Sequence, residues 1–179
     1  LQIILLGDVF DLVRTDYWLK LKNKDEMPWN GTPEHLTYMN NNRLLMVSHF
    51  SNVLNLILNN KKTKALIDML NKLKEYYGTN KPFVIQYIIG NHDRAFNNYS
   101  ELQKIVINSL SNFKEEEIIF SNEFYDRNYE TLCRHGHEFD EHNYGFKLYK
   151  LLLKDVGKGH DDPDLFDKEV YCVQTIGEV

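Results

Sequence analysis

Apolar residues fall into two short runs that predict buried strands. Residues 1–6 are almost all apolar and are followed by Gly7, and residues 83–89 repeat this pattern before Gly90. A short apolar run that ends at a glycine is typical of a strand inside a parallel sheet. Shorter strands are predicted at residues 118–120 and 131–134.

Apolar residues at helical spacing occupy the long stretch between the first two strands. They predict one helix over residues 39–58 and another over residues 64–77, where Gly78 is suited to end the helix. The polar residues 22–33 contain turn-forming prolines and a glycine and predict a surface loop. Further helices are predicted at residues 99–110 and 143–156.

The alternation of strand and helix predicts an α/β fold whose crossover units have parallel strands. A chain of 179 residues is long enough for one domain with a core, and we assign residues 1–179 to a single domain. Within it, the helical residues from about 25 to 77 form an insertion between the first two strands. The chain begins inside an apolar run and ends without a terminating pattern, so we expect the domain to be partial.

The formal net charge of −5 disfavours a nucleic-acid groove as the main feature, because such a surface needs clustered positive charge. A phosphate substrate remains compatible with this charge, since bound divalent cations reverse the local sign. No apolar run is long enough to span a membrane. The two cysteines, Cys133 and Cys172, are typical of a reducing compartment and favour a cytoplasmic protein, although the pair could form a disulfide.

Three of the predicted strands end in residues that can bind a metal ion. These endings are Gly7-Asp8-Val9-Phe10-Asp11, Gly90-Asn91-His92-Asp93 and His135-Gly136-His137. Ligands of open α/β sheets collect at the carboxyl ends of the strands, where loops from neighbouring strands converge. Carboxylate, amide and imidazole groups are suitable ligands for Mn, Fe, Zn or Mg. The three endings together therefore indicate a shared metal site.

In this order, the first two endings resemble the second and third signature motifs of calcineurin-like metallophosphoesterases, Gly-Asp-x-x-Asp and Gly-Asn-His-Asp. The third ending resembles that family's fourth motif, a histidine at a strand end. The resemblance implies an α/β/β/α sandwich with a helical insertion between the strands of the first two endings. It also implies a hydrolase that cleaves phosphomonoesters or phosphodiesters by attack of a metal-bound hydroxide at a binuclear centre.

The resemblance assigns a role to each matching residue. Asp8 bridges two divalent metal ions, and Asn91 and His135 bind the second of them; Mn is favoured, with Fe, Zn and Mg as alternatives. His92 stands beside the leaving-group oxygen, where it stabilises the transition state or donates a proton. Asp93 holds His92 in the required tautomer, and Asp11 orients the loop or a metal ligand.

The substrate class stays open between a phosphorylated small molecule, a nucleotide, a lipid and a protein. Arg94 could contact a second phosphate, and His137 could contact substrate or support a ligand. Arg14, Tyr17 and Trp18 follow Asp11 closely and could line a substrate lid, or the two aromatic residues could simply pack the insertion onto the sheet.

Two motifs of the family do not occur in this chain. The Asp-x-His motif would precede Leu1, and the Gly-His-x-His motif is absent because Gly136-His137-Glu138 is followed by Phe139. We therefore expect further ligands to lie beyond both ends of the chain, and we expect the isolated fragment to be inactive.

Each of these residues also has an ordinary structural interpretation. Asp8 and Asp11 could cap a turn or a helix, and Asn91-His92-Asp93 could form a polar turn. A histidine at a strand end, such as His135, is often a surface residue. The rival functional hypothesis is a scaffold that keeps the phosphoesterase fold without its metals and binds a protein partner.

Overall fold

The computed structural model describes residues 1–28, 33–78 and 81–137. Its centre is a parallel sheet of three strands, in the order β1 (Gln2–Leu6), β2 (Val84–Ile88) and β3 (Ile118–Ser121). Leu6 pairs with Ile88, and Ile88 pairs with Ser121, so the three strands end side by side. The predicted parallel strands are confirmed, and helices connect them in an α/β fold.

A second sheet follows directly. It is an antiparallel hairpin of β4 (Glu123–Asp126) and β5 (Thr131–Arg134). The strand predicted at residues 131–134 is confirmed, but it pairs with β4 and not with the parallel sheet. Strand β4 was not predicted; it begins with Glu123 and ends with Asp126, two residue types that are depleted in strands.

The helices number six in the described part of the chain. They are α1 (Asp16–Leu19), α2 (Pro33–Asn41), α3 (Arg43–Leu58), α4 (Lys61–Tyr77), α5 (Ala95–Asn98) and α6 (Ser100–Ser109), with short 3-10 turns at Lys24–Glu26 and Glu115–Glu117. Among these residues, no helix is both long and apolar enough to cross a bilayer.

The predicted helices agree with this list except at their boundaries. The helix predicted over residues 39–58 is divided at Asn42, whose backbone leaves the helical conformation between α2 and α3. Helix α4 begins three residues before the prediction, because the Asn60 side chain accepts a hydrogen bond from the Lys62 amide and caps the first turn. Gly78 ends α4, as predicted. The helix predicted at residues 143–156 lies outside the described residues.

The insertion packs onto the sheet through a continuous aromatic and aliphatic core. Trp18 is fully buried and stacks edge-on against Phe50, and its indole N–H donates to the Leu12 carbonyl at 2.9 Å. Phe10 stacks on Tyr87 of β2. Burying one large apolar side chain contributes roughly 1.5–3 kcal/mol, so these rings fix the position of the chain that follows β1.

A polar network also holds the insertion in place. The Tyr17 hydroxyl lies 2.8 Å from His49 Nδ1 and accepts from the Asn52 amide at 3.2 Å. On the other side of the same ring, His49 Nε2 lies 3.0 Å from the Glu26 carboxylate. When His49 carries its proton on Nε2, each of these three hydrogen bonds has one donor and one acceptor. The network joins α1, α3 and the Lys24–Glu26 turn.

We expect Tyr17→Phe to lower the free energy of unfolding by about 1 kcal/mol, because it leaves the buried His49 nitrogen without its donor. Urea denaturation followed by circular dichroism measures this change. Tyr76→Phe is the matched control, since that ring is 77% exposed on α4, and it should change stability little. Equal effects of the two substitutions would show that the network contributes nothing.

Candidate metal site

The turn after β1 has an unusual backbone. Gly7 and Asp8 are both in the left-handed region, with φ of 61° and 51°. Glycine adopts this conformation freely, whereas it is uncommon for Asp8, although Asp tolerates it better than most residues. A Cβ atom on Gly7 would overlap the His135 ring and lie 2.9 Å from the Gly90 Cα. Glycine at this position therefore lets three loops approach closely.

The Asp8 carboxylate contacts both of the other loops. Its Oδ1 accepts a hydrogen bond from the His92 backbone N–H at 2.8 Å, and its Oδ2 lies 3.2 Å from His135 Nε2. A Cβ atom on Gly90 would overlap this carboxylate. Asn91 lies between Gly90 and His92 and is 5% exposed. The structure thus brings Asp8, the Asn91 loop and His135 together, although β5 belongs to a different sheet.

The pKa of Asp8 reflects these contacts. Burial would raise it, but hydrogen bonds from the His135 side chain and the His92 N–H, with the positive charge of both histidines when protonated, outweigh burial and hold the pKa below its usual value. Asp8 is therefore kept as a carboxylate, the form that binds cations.

These atoms are spaced as ligands of one ion would be. Two adjacent ligand atoms, each about 2.1 Å from the same ion, are separated by about 3 Å in octahedral geometry. The separation of 3.2 Å between Asp8 Oδ2 and His135 Nε2 is close to this value. A carboxylate oxygen and an imidazole nitrogen also suit a divalent transition metal.

His137 lies against the side of His135 that faces away from Asp8. Its Nδ1 is 3.0 Å from Nδ1 of His135, and the residue is 6% exposed. If His135 Nε2 gives its lone pair to a cation, its Nδ1 carries the proton and donates to His137. This is the arrangement by which a neighbouring group fixes the ring of a ligating histidine.

The His92 ring contacts Asp11 and Arg14. Its Nδ1 is 3.2 Å from Asp11 Oδ1 and 3.1 Å from Arg14 Nε, while its Nε2 is 2.7 Å from the Arg14 NH2 group. Nδ1 cannot donate to Asp11 and accept from Arg14 at once. We assign the proton to Nδ1, since Asp11 then accepts it and Nε2 accepts the shorter contact from Arg14.

Asp11 also shapes its own loop. Its Oδ1 accepts from the backbone N–H groups of Val13 and Arg14, at 3.3 and 2.9 Å. Burial opposes ionisation, but hydrogen bonds from His92 and the Arg14 N–H, together with their positive charge, keep the pKa of Asp11 below its usual value. The turn-capping interpretation and the contact with His92 thus both apply to this residue.

The orienting contact expected from Asp93 is made by Asp11 instead. The Asp93 carboxylate is fully buried and accepts from the Tyr87 hydroxyl and from the Gly90 N–H, the latter at 2.6 Å. The bond to the Gly90 N–H closes the turn that begins at that residue. Burial raises the pKa of Asp93 to about 7, and the Asp8 charge adds to this effect.

Arg94 connects the site to the insertion. Its guanidinium is buried and donates to the carbonyls of Asn91 and Pro28, both at 3.3 Å. These contacts tie the loop before α2 to the Asn91 turn. The contact of Arg94 with a second phosphate stays a prediction.

Sequence reasoning missed the part played by Tyr87. It lies inside the apolar run of β2, where a tyrosine is expected to be an ordinary core residue. The turn at Gly90 brings the Asp93 carboxylate to its hydroxyl, and the sequence does not reveal this contact. Burial, with the charge of Asp93, raises the pKa of the Tyr87 hydroxyl well above its usual value, so it acts as a donor.

Within residues 1–28, 33–78 and 81–137, no three His, Cys, Asp or Glu side chains form a group that could hold an ion by themselves. Asp8 and His135 supply two ligating side chains, and a complete site needs the Asn91 amide or further ligands. Comparison with protein-family models, curated proteins and solved structures finds no match to this chain.

The buried Asp93 predicts a pH-dependent stability. Because its pKa is about 7 in the folded protein and 3.8 is its ordinary value, the folded chain binds more protons over this interval, and Asp93 destabilises the fold as the pH rises. Asp93→Asn keeps a neutral side chain at all pH values. We therefore compare the free energy of unfolding of Asp93→Asn with that of the wild type at each pH. The difference, variant minus wild type, should be more than about 1 kcal/mol larger at about pH 8 than at about pH 5.

Urea denaturation at several pH values, with a chelator present, measures this difference. Asp68→Asn, which alters an exposed carboxylate of α4, is the control and should follow the wild type. A difference between Asp93→Asn and the wild type that does not change with pH would contradict the prediction.

Proposed function

We propose that this chain is part of a calcineurin-like metallophosphoesterase that hydrolyses phosphate esters. The observation that carries the proposal is the Asp8 carboxylate, which contacts the His92 loop through one oxygen and His135 Nε2 through the other. The residues of three separate motifs thereby face one another at the ends of β1, β2 and β5. The α/β/β/α sandwich belongs to the same proposal, with the parallel sheet as one of its layers.

Asp8, Asn91 and His135 would hold divalent cations, with manganese as the first candidate. When bound, the cations would supply charge neutralisation at the phosphate and a water of lowered pKa. Asp8 suits this task because its hydrogen bonds keep it ionised and fixed. His137 would hold the His135 ring in the orientation that presents Nε2.

His92 would act at the leaving-group oxygen through Nε2. Its ring is buried and its Nδ1 faces Asp11, so a substrate would use Nε2, the nitrogen that lies 2.7 Å from the Arg14 NH2 group. With Nδ1 held by Asp11, Nε2 is the nitrogen that can take a proton from solvent and pass it to the leaving-group oxygen. Phosphomonoesters and phosphodiesters of small molecules, nucleotides, lipids or proteins all remain candidate substrates.

Metal content tests the proposal most directly. We expect the full-length protein, dialysed against Mn²⁺ and freed of excess metal, to retain the ion in elemental analysis and to lose it with Asp8→Asn. The exposed Asp68→Asn control should retain it. A wild-type protein without bound metal would favour the metal-free scaffold instead.

Activity provides the second test. We expect metal-dependent hydrolysis of an aryl phosphate by the full-length protein, abolished by chelation and reduced about 10²-fold or more by His92→Ala. Asp68→Asn, which alters an exposed side chain of α4, is the control and should keep full activity. Hydrolysis that survives both chelation and His92→Ala would contradict the proposal.

A further inference from the structure

Arg14 covers the buried His92 ring from the solvent side. Its side chain is 59% exposed, whereas that of His92 is 4% exposed. The Arg14 NH2 group lies 2.7 Å from His92 Nε2, and Nε lies 3.4 Å from Asp11 Oδ2. The guanidinium therefore occupies the position from which a substrate would approach the ring.

This contact is incompatible with the proposed task of His92. A ring nitrogen that accepts a hydrogen bond from Arg14 cannot at the same time donate a proton to a leaving-group oxygen. The guanidinium must leave Nε2, and Nε2 must then take a proton from solvent, before the ring can donate that proton to a leaving-group oxygen.

A phosphate offers the displaced guanidinium a better partner. Arginine pairs with phosphate through two parallel hydrogen bonds between unlike charges, and these are stronger than a single bond to a neutral imidazole. The ion pair between Arg14 and Asp11 is partly exposed, at 59% and 39% of the two side chains, so water screens it and its loss costs little.

We propose that Arg14 is a substrate-binding residue that moves from His92 Nε2 to the non-bridging oxygens of the bound phosphate. The move binds the substrate anion and frees His92 in the same step. The inference rests on the proposed function, and it assigns to Arg14 the recognition of the phosphate group that any of the candidate substrates shares.

The test is steady-state kinetics of the full-length, Mn²⁺-loaded protein with an aryl phosphate, together with competitive inhibition by inorganic phosphate. We expect Arg14→Gln to raise both KM and the inhibition constant of phosphate by about 10- to 100-fold, the effect of losing a charge-assisted hydrogen bond. Both constants of Arg14→Lys should lie between those of Arg14→Gln and the wild type, because lysine keeps the charge but cannot form two parallel hydrogen bonds.

Arg127→Gln is the matched control, because it removes the same charge from the exposed turn between β4 and β5 and should leave both constants unchanged. Inorganic phosphate has no leaving group, so its inhibition constant reports on anion binding without any contribution from His92. A fall in kcat with unchanged KM and phosphate inhibition would show that Arg14 only positions His92, and would overturn the inference.

Unchanged kinetics of Arg14→Gln in an active enzyme would also overturn it, while leaving the proposed function intact. A wild-type protein that binds metal but hydrolyses no phosphate ester would overturn both.

Discussion

The carboxylate of Asp8 is the group on which the arrangement of the site depends. One of its oxygens is satisfied by the His92 N–H and the other faces His135, so a single partly buried charge holds the ends of β1, β2 and β5 together. This requires glycine at positions 7 and 90, because a Cβ atom at either would occupy the space of the His135 ring or of the carboxylate itself. The left-handed backbone of Asp8 is stabilised by these contacts, which repay its conformational cost.

Two carboxylates of the same region are held in opposite states. Hydrogen bonds and histidines outweigh burial at Asp8 and lower its pKa, whereas burial dominates at Asp93 and raises its pKa to about 7. Separation of neighbouring acids in this way assigns them different tasks. Asp8 is suited to bind cations, and Asp93, bonded to Tyr87 and Gly90, is suited to close the turn that carries Asn91 and His92.

The sequence was sufficient to predict the elements whose pattern is long and regular. The apolar runs of β1 and β2 and the helical spacing of α3 and α4 reflect burial of one face, which a single sequence records. The same pattern predicted that the polar residues lie at strand ends, but it could not predict which partners their side chains contact. That Asp11, and not Asp93, meets His92 follows from the turns at Gly7 and Gly90, and such contacts between distant loops leave no periodic trace.

The surroundings of Arg14 determine what kind of motion its proposed role can involve. On the N-terminal side of Arg14, the Leu12 N–H donates to the His92 carbonyl. On its C-terminal side, the Thr15 side chain caps α1. Trp18, fully buried, anchors the helix that follows. These contacts hold the backbone on both sides, so a change of the Arg14 side chain alone is enough to release His92, and rotamer changes of an exposed arginine take picoseconds to nanoseconds. Binding of phosphate by Arg14 therefore needs no lid to open and no rearrangement of the insertion.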